Sequence, residues 1–339
     1  MKTSIKLYDY DLPEALIAYH PVKNRDESKL MIFDESQTIK HKLFKHLTNY
    51  LQKGDLLVLN DTKVIPGRLF LKKESGGVVE ILFHKSVNLQ TAVCIYRSSR
   101  KPILNSKLYI NENNFFVINK IEKNYVTLSY RNNIMDVFIK SGEVPLPRYI
   151  KRKVTKNDIE RYQTTYARYE GSVAAPTAGL HFTDKIINQL KQKGVFIEYL
   201  TLHVTYNTFK PLSDDDYSKH DIGTEHCKIK EGLINLIKEV KSVNKKVIAV
   251  GTTAARALEN YASKGLTGSY EGDVDLYITP GYNFRVIDGL VTNFHLPRST
   301  LLLMVAALIG RKELLELYKH AVENNYRFYS YGDSMLIKV

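Results

Sequence analysis

Three histidines stand where the chain changes direction, each placed for proton transfer near neutral pH. His181 follows the small-residue run 172–179, His203 ends an apolar stretch that starts at Phe196, and His295 follows Leu290-Val-Thr-Asn293-Phe. Two turn aspartates could serve as their charge partners: Asp61 in Asn60-Asp61-Thr62 and Asp333 in Gly332-Asp333. Gly251-Thr252-Thr253 leads into a helical pattern carrying Arg256, which brings free N–H groups, two hydroxyls and a guanidinium together as an anion nest. This stretch has neither G-x-G-x-x-G nor G-K-[ST], so it is no nucleotide fingerprint, and packing alone is an equal explanation. Arg148-Tyr-Ile-Lys151-Arg152-Lys153, with Arg161 beyond, can hold phosphates and stack a base. A solvated charged linker is its competing reading.

The elements that must position these groups follow from periodicity. Residues 55–59 read as a buried strand that stops on the Asn60 trio, at the strand end where α/β sheets bind ligands. From about 65 to 130, short alternating runs separated by Ser75-Gly-Gly77 and Asn-rich turns predict an antiparallel meander closing into a small barrel. Residues 63–147 therefore read as an inserted barrel domain, with 1–62 and 148–339 forming one α/β domain of mixed sheet and flanking helices. A helix opens at Thr155, with Ile159 and Tyr162 on one face. The run 172–179 permits close backbone approach, and Pro176 and Gly179 exclude a long helix or central strand. Thr183 caps a helix bearing Ile186, Ile187 and Leu190, which ends at Gly194. Residues 196–204, 247–250, 273–278 and 290–294 read as strands, 232–243 and 312–324 as helices, and 326–336 as a strand ending in a Gly-Asp turn.

The chain has 339 residues, enough for two domains, with 44% hydrophobic residues. No apolar run approaches the ~18 residues of a membrane span, and the first residues carry no signal-peptide stretch. Cys94 and Cys227 form no redox or metal pattern. A cytoplasmic monomer without a metal or membrane association is the expectation. The net charge of +13 suits a polyanion such as nucleic acid, although lysine used as general surface filler gives the same sum.

Taken together, these blocks resemble the S-adenosylmethionine:tRNA ribosyltransferase-isomerase family of the queuosine pathway. The likeness is carried by residues 8–13, Asn60-Asp-Thr-Lys-Val-Ile-Pro66 with Arg68, and Gly142-Glu-Val-Pro-Leu-Pro-Arg-Tyr149. It continues through 161–182, Gly251-Thr-Thr, Thr292-Asn-Phe-His-Leu-Pro297 and 326–337; Ala174-Ala-Pro-Thr-Ala-Gly-Leu-His-Phe182 is the most specific block. The resemblance implies transfer of the ribosyl part of S-adenosylmethionine to 7-aminomethyl-7-deazaguanine at the tRNA wobble position. Epoxyqueuosine-tRNA is the implied product, with adenine and methionine released. Such a reaction needs a base for the carbon beside the sulfonium, an acid for departing adenine and a neutral aminomethyl nucleophile. On this reading His181 or His295 carries the proton and Asp333 or Asp61 partners it. Thr177, Gly179, His203, Gly251, Thr252, Thr253, Arg256, Asn293 and Tyr331 are the candidate cofactor contacts; Tyr162, Tyr166, Tyr282 and Tyr331 are candidate cation-facing rings. Where the family has a glycine-rich loop, this chain reads Thr205-Tyr206-Asn207, and Gly223 and Ala254 replace a usual histidine and serine.

Two other functions share the basic surface. An S-adenosylmethionine-dependent RNA methyltransferase would need a glycine-rich cofactor loop with an acidic residue about 20 positions on, which no strand here supplies. A noncatalytic RNA-binding protein built on the barrel would not need His, Asn and Arg gathered at strand ends.

Overall fold

The structure is a computed structural model describing residues 3–205, 212 and 214–339. In chain order the strands are β1 Lys29–Phe33, β2 Ile39–Leu43, β3 Leu56–Asn60, β4 Thr62–Val64, β5 Arg68–Lys73, β6 Val78–Asn88, β7 Thr91–Arg97, β8 Lys107–Asn111, β9 Asn114–Glu122 and β10 Tyr125–Ser129. After them come α1 Ile134–Ser141, α2 Lys156–Arg161, β11 Tyr169–Ser172, α3 Asp184–Gln192, β12 Phe196–Leu202, β13 Glu225–Ile229, α4 Glu231–Ser242, β14 Val247–Val250 and α5 Thr252–Ser263. The chain closes with β15 Tyr270–Val274, β16 Gly289–Asn293, α6 Thr300–Ile309, α7 Arg311–Glu323 and β17 Ser334–Lys338.

Nine strands form one mixed sheet in the order β15-β13-β12-β3-β14-β16-β17-β1-β2. Its centre, β12-β3-β14-β16, is parallel, and β17 returns antiparallel to β16. The central strands are buried on both faces, hence their unbroken apolar runs. Leu56 and Val58 of β3 point into the core shared with α4, α5, α6 and α7, while Leu57 and Leu59 pack with Phe44, Phe182 and Ile186 on the other face. Strands β5 to β10 close into a six-stranded antiparallel barrel, and Val137 and Phe138 of α1 pack into its core. Two-stranded pairing of β11 with β4 and the seating of Val173 in the barrel core tie the two bodies together. Among the described residues no helix is long and apolar enough to cross a membrane.

The Thr155 capping box and the Thr183 cap, which accepts from the Ile186 N–H, form as expected. Other expectations change. Ile159 is 63% exposed while Tyr162 is buried, because α2 ends at Arg161 and releases Tyr162 from the helical face. The strand expected at 273–278 lies earlier, as β15, pulled onto β13 by the Glu225–Val274 register. In the tail the Gly332-Asp333 turn precedes β17 instead of ending a strand. Tyr206 and Asn207 of the divergent loop lie outside the described residues.

Candidate functional site

The parallel strands end on the side of the sheet that faces the barrel, and a cavity of about 350 Å³ opens there. It is lined from the sheet by Asn293–Thr300, at the end of β16 and the start of α6. The 172–179 run gives Val173, Ala174 and Thr177, the tail gives Tyr329 and Ser330, and the barrel side gives Arg68, Leu82 and Pro145–Tyr149. The volume lies in the range of small-molecule sites. Arg68 lines both this cavity and a larger open groove, of about 1580 Å³, running between the barrel and α2.

His295 stands on the cavity wall. Its Nε2 pairs with the Thr292 hydroxyl at 2.9 Å, which leaves Nδ1 as the ring nitrogen for a ligand. Burial pushes its pKa down to about 3, so the ring is a neutral imidazole at physiological pH. Asn293, its neighbour but one, shares the two N–H groups of Nδ2 among three acceptors, the Tyr329 and Asp333 carbonyls and His181 Nε2. The Asn293 Oδ1 is buried without a hydrogen-bond partner among the described residues. An orphaned acceptor on a cavity wall calls for a ligand donor or a water.

His181 does not reach the cavity. It stacks on Phe44 at 5.0 Å beneath the sheet end, and both nitrogens are engaged. Ser28 Oγ donates to the Arg25 carbonyl, so it accepts from His181 Nδ1–H at 2.7 Å, leaving Nε2 to accept from Asn293. Burial lowers its pKa to about 3. The ring thus orients Asn293 and is not itself exposed to a substrate. Asp333 is likewise committed: its carboxylate caps the Lys29 and Arg327 N–H groups, each at 2.8 Å, and burial raises its pKa.

Asp61 is buried and accepts from the Thr201 hydroxyl at 2.7 Å; burial raises its pKa against that bond. His203 pairs with the Thr62 hydroxyl at 2.8 Å, lies against Gly171, and is lowered to about 4 by burial and then by the nearby His226. Neither lines the cavity. At the expected anion nest Gly251, at φ +87°, does turn β14 into α5. Yet Arg256 is spent on a buried ion pair with Glu225 at 3.0 Å. The space beside it, Thr252 and Thr253 is about 10 Å³, too small for a cofactor. The expected nest is a packed ion pair. Gly179 serves packing too: a Cβ there would overlap the Tyr166 hydroxyl. Tyr331 donates to Asp158 at 2.9 Å, and Tyr282 donates to Glu259. Tyr162 and Tyr166 are buried, and none of these four rings lines the cavity. Of the candidate cofactor contacts, the cavity gathers Thr177 and Asn293.

The basic cluster divides as well. Arg152 grips Asp158 through two hydrogen bonds of 2.6 and 2.7 Å. Burial opposes ionisation of Asp158, but Arg152 and Thr155 prevail and hold it well below the usual carboxylate range. Arg161 donates to the Val22 and Lys23 carbonyls; both guanidiniums therefore build the wall instead of meeting phosphate. Arg148 reaches the cavity, 3.8 Å from Glu80. Lys151, Lys153 and Lys156 edge the groove. Lys151 pairs with the exposed Glu14, whereas Lys153 and Lys156 take part in none of the ion pairs seen among the described residues. Sequence reasoning singled out neither Tyr329 nor Ser330 as a site residue; the closely spaced tyrosines of the tail were the available signal. No group of three His, Cys, Asp or Glu is placed to hold a metal among the described residues.

A family model described as queuosine biosynthesis protein matches residues 5–337. A protein of Halothermothrix orenii named S-adenosylmethionine:tRNA ribosyltransferase-isomerase is 45% identical over 340 residues, covering 98% of this chain and 99% of that one. One of the same name from Vesicomyosocius okutanii is 42% identical over 335 residues, covering 98% of both chains. The crystal structure of S-adenosylmethionine tRNA ribosyltransferase from Thermotoga maritima, 34% identical, superposes with a TM-score of 0.57 over 98% of this chain and 99% of that chain.

Proposed function

The chain belongs to the queuosine biosynthesis protein family, and from that premise we propose how its cavity and groove divide the work of an S-adenosylmethionine:tRNA ribosyltransferase-isomerase. The reaction transfers and isomerises the ribosyl moiety of S-adenosylmethionine onto 7-aminomethyl-7-deazaguanine of tRNA, giving epoxyqueuosine-tRNA, adenine and methionine. The cavity holds S-adenosylmethionine and the groove carries the RNA backbone, so that the extruded wobble base enters at Arg68, the passage between them.

Convergence on one wall of His295, the orphaned Asn293 Oδ1 and Thr177, opposite Arg68 and Arg148, carries this reading. His295 Nδ1 is the proton carrier on position: the Thr292 hydroxyl holds Nε2 and leaves Nδ1 for the substrate, while the burial that keeps the ring neutral also makes it a weak base. Asn293 Oδ1 accepts from a ligand N–H, either the aminomethyl group or the adenine amine, and His181 fixes the carboxamide in that orientation. Arg68 and Arg148 share Glu80, at 3.2 and 3.8 Å, and Arg68 also donates to the Leu146 carbonyl; the N–H groups they keep suit the carboxylate of the methionyl part. Asp61, Asp333, His203 and Arg256 support these walls without touching substrate. A cytoplasmic monomer needing no metal is the simplest setting for this chemistry.

His295→Asn should keep thermal stability and tRNA affinity while slowing single-turnover adenine release by about 10²- to 10⁴-fold. A rate within about threefold of wild type removes His295 from proton transfer. Mass spectrometry of the tRNA separates the alternatives: a methyl-sized gain would favour a methyltransferase, and tRNA binding without adenine release a noncatalytic RNA-binding protein.

A further inference from the structure

Tyr149 and Tyr329 come from distant segments and pack ring on ring in the cavity wall, with centroids 4.3 Å apart and planes 30° from parallel. The Tyr329 backbone sits at φ +73°, which a bulky side chain adopts only under strain. Three hydrogen bonds hold it there. Its N–H donates to the Phe294 carbonyl at 3.0 Å, and its own carbonyl accepts from the Gly332 N–H and from Asn293 Nδ2. The Tyr149 hydroxyl accepts from the Ser330 N–H at 2.9 Å. A glycine would satisfy that turn without strain, so what tyrosine adds at 329 is its ring. Both rings are half-buried: the stack is fixed and still reaches the cavity.

The fixed charges that line the cavity beside them are guanidiniums. Arg68, Arg148 and Arg298 line the cavity, and no carboxylate among the described residues does. The nearest carboxylates, Glu80 and Asp9, are paired with these guanidiniums and do not line the cavity, so an aromatic face is the group left on its walls that attracts a sulfonium. We infer that the Tyr149–Tyr329 stack is the sulfonium-binding wall, which positions the reacting sulfur of S-adenosylmethionine and distinguishes it from the neutral thioether. This inference rests on the reaction proposed above.

The test uses the full chain with substrate tRNA, following adenine release. It reads two constants: KM for S-adenosylmethionine, and the inhibition constant of S-adenosylhomocysteine, which lacks the charge. Tyr329→Leu should raise the KM about five- to tenfold and leave the inhibition constant within about twofold, whereas Tyr329→Phe should keep both near wild type. Tyr329→Asn, whose side chain tolerates positive φ, removes the ring without added strain and should behave as the leucine variant does. Should both constants rise together, the ring stacks on adenine and the inference is overturned; it is equally overturned if neither moves. Wild-type protein that releases no adenine would sink the reaction itself, before any tyrosine is changed.

Discussion

Burial of neutral histidines fixes how this protein responds to acid. His181 and His295 are both pushed down to about 3 by burial, whereas in an unfolded chain they titrate near 6.5. Below that value the unfolded chain binds protons that these two native rings refuse, so their contribution to stability is complete above about pH 6.5 and is lost as pH drops toward 3. At pH 5 each ring costs about 2 kcal/mol of folding free energy. The ordinary expectation for catalytic histidines is a rate profile; for His181 the stronger readout is stability, because its two nitrogens are committed to Ser28 and Asn293. His181→Gln should flatten the dependence of urea-unfolding free energy on pH between 7 and 5 by about one proton. An unchanged slope would mean that His181 is charged in the native state.

Helix α5 shows how an element far from substrate sets the site. Glu259 lies on its buried face and accepts four hydrogen bonds: the N–H groups of Arg285, Val286 and Ile287, and the Tyr282 hydroxyl. That grip fixes the segment entering β16, and β16 delivers Asn293 and His295 to the cavity. Glu259→Gln replaces one acceptor oxygen by an amino group facing N–H donors. It should cost about 2–3 kcal/mol in urea unfolding and lower the rate of adenine release several-fold; a loss under about 0.5 kcal/mol would show that the grip is dispensable. Such an element is legible in sequence only in part. Val247-Ile-Ala-Val250 announces a buried strand and Gly251 its turn, since both signals are local. The barrel was legible for the same reason, each hairpin carrying its own turn residues. Nothing local marks Glu259 as buried, or shows that Arg256 is spent on Glu225 instead of an anion, because those partners come from other elements. The Gly332-Asp333 turn was visible, yet turn residues do not say which side of them is strand. His181 stood out by its place after the small-residue run, but its burial did not, since its partners Ser28 and Asn293 are distant in sequence.

At the scale of the whole molecule, the net charge of +13 divides into cations that build walls and cations that are free to meet a polyanion. Arg152 and Arg161, two of the five phosphate candidates named from the sequence, are engaged with Asp158 and with backbone carbonyls. What remains along the groove is Lys153 and Lys156, both exposed, beside the exposed apolar side chains of Phe70, Ile139 and Ile159. A groove with flexible ammonium groups on one edge and apolar faces beside them suits a phosphate backbone and its bases. Each phosphate contact that is lost should reduce the slope of log affinity against log salt by about 0.7 to 0.9. The Lys153→Ala, Lys156→Ala double variant should therefore bind tRNA about five- to tenfold more weakly near 0.1 M salt, with a slope shallower by about 1.4 to 1.8. Arg152→Ala makes the contrast. It breaks the buried pair with Asp158, so it should lower thermal stability strongly while leaving the salt slope of whatever remains folded unchanged. Filter binding across a salt series with both variants decides the matter: if Arg152→Ala flattens the slope and the lysine variant does not, the RNA follows another face of the molecule.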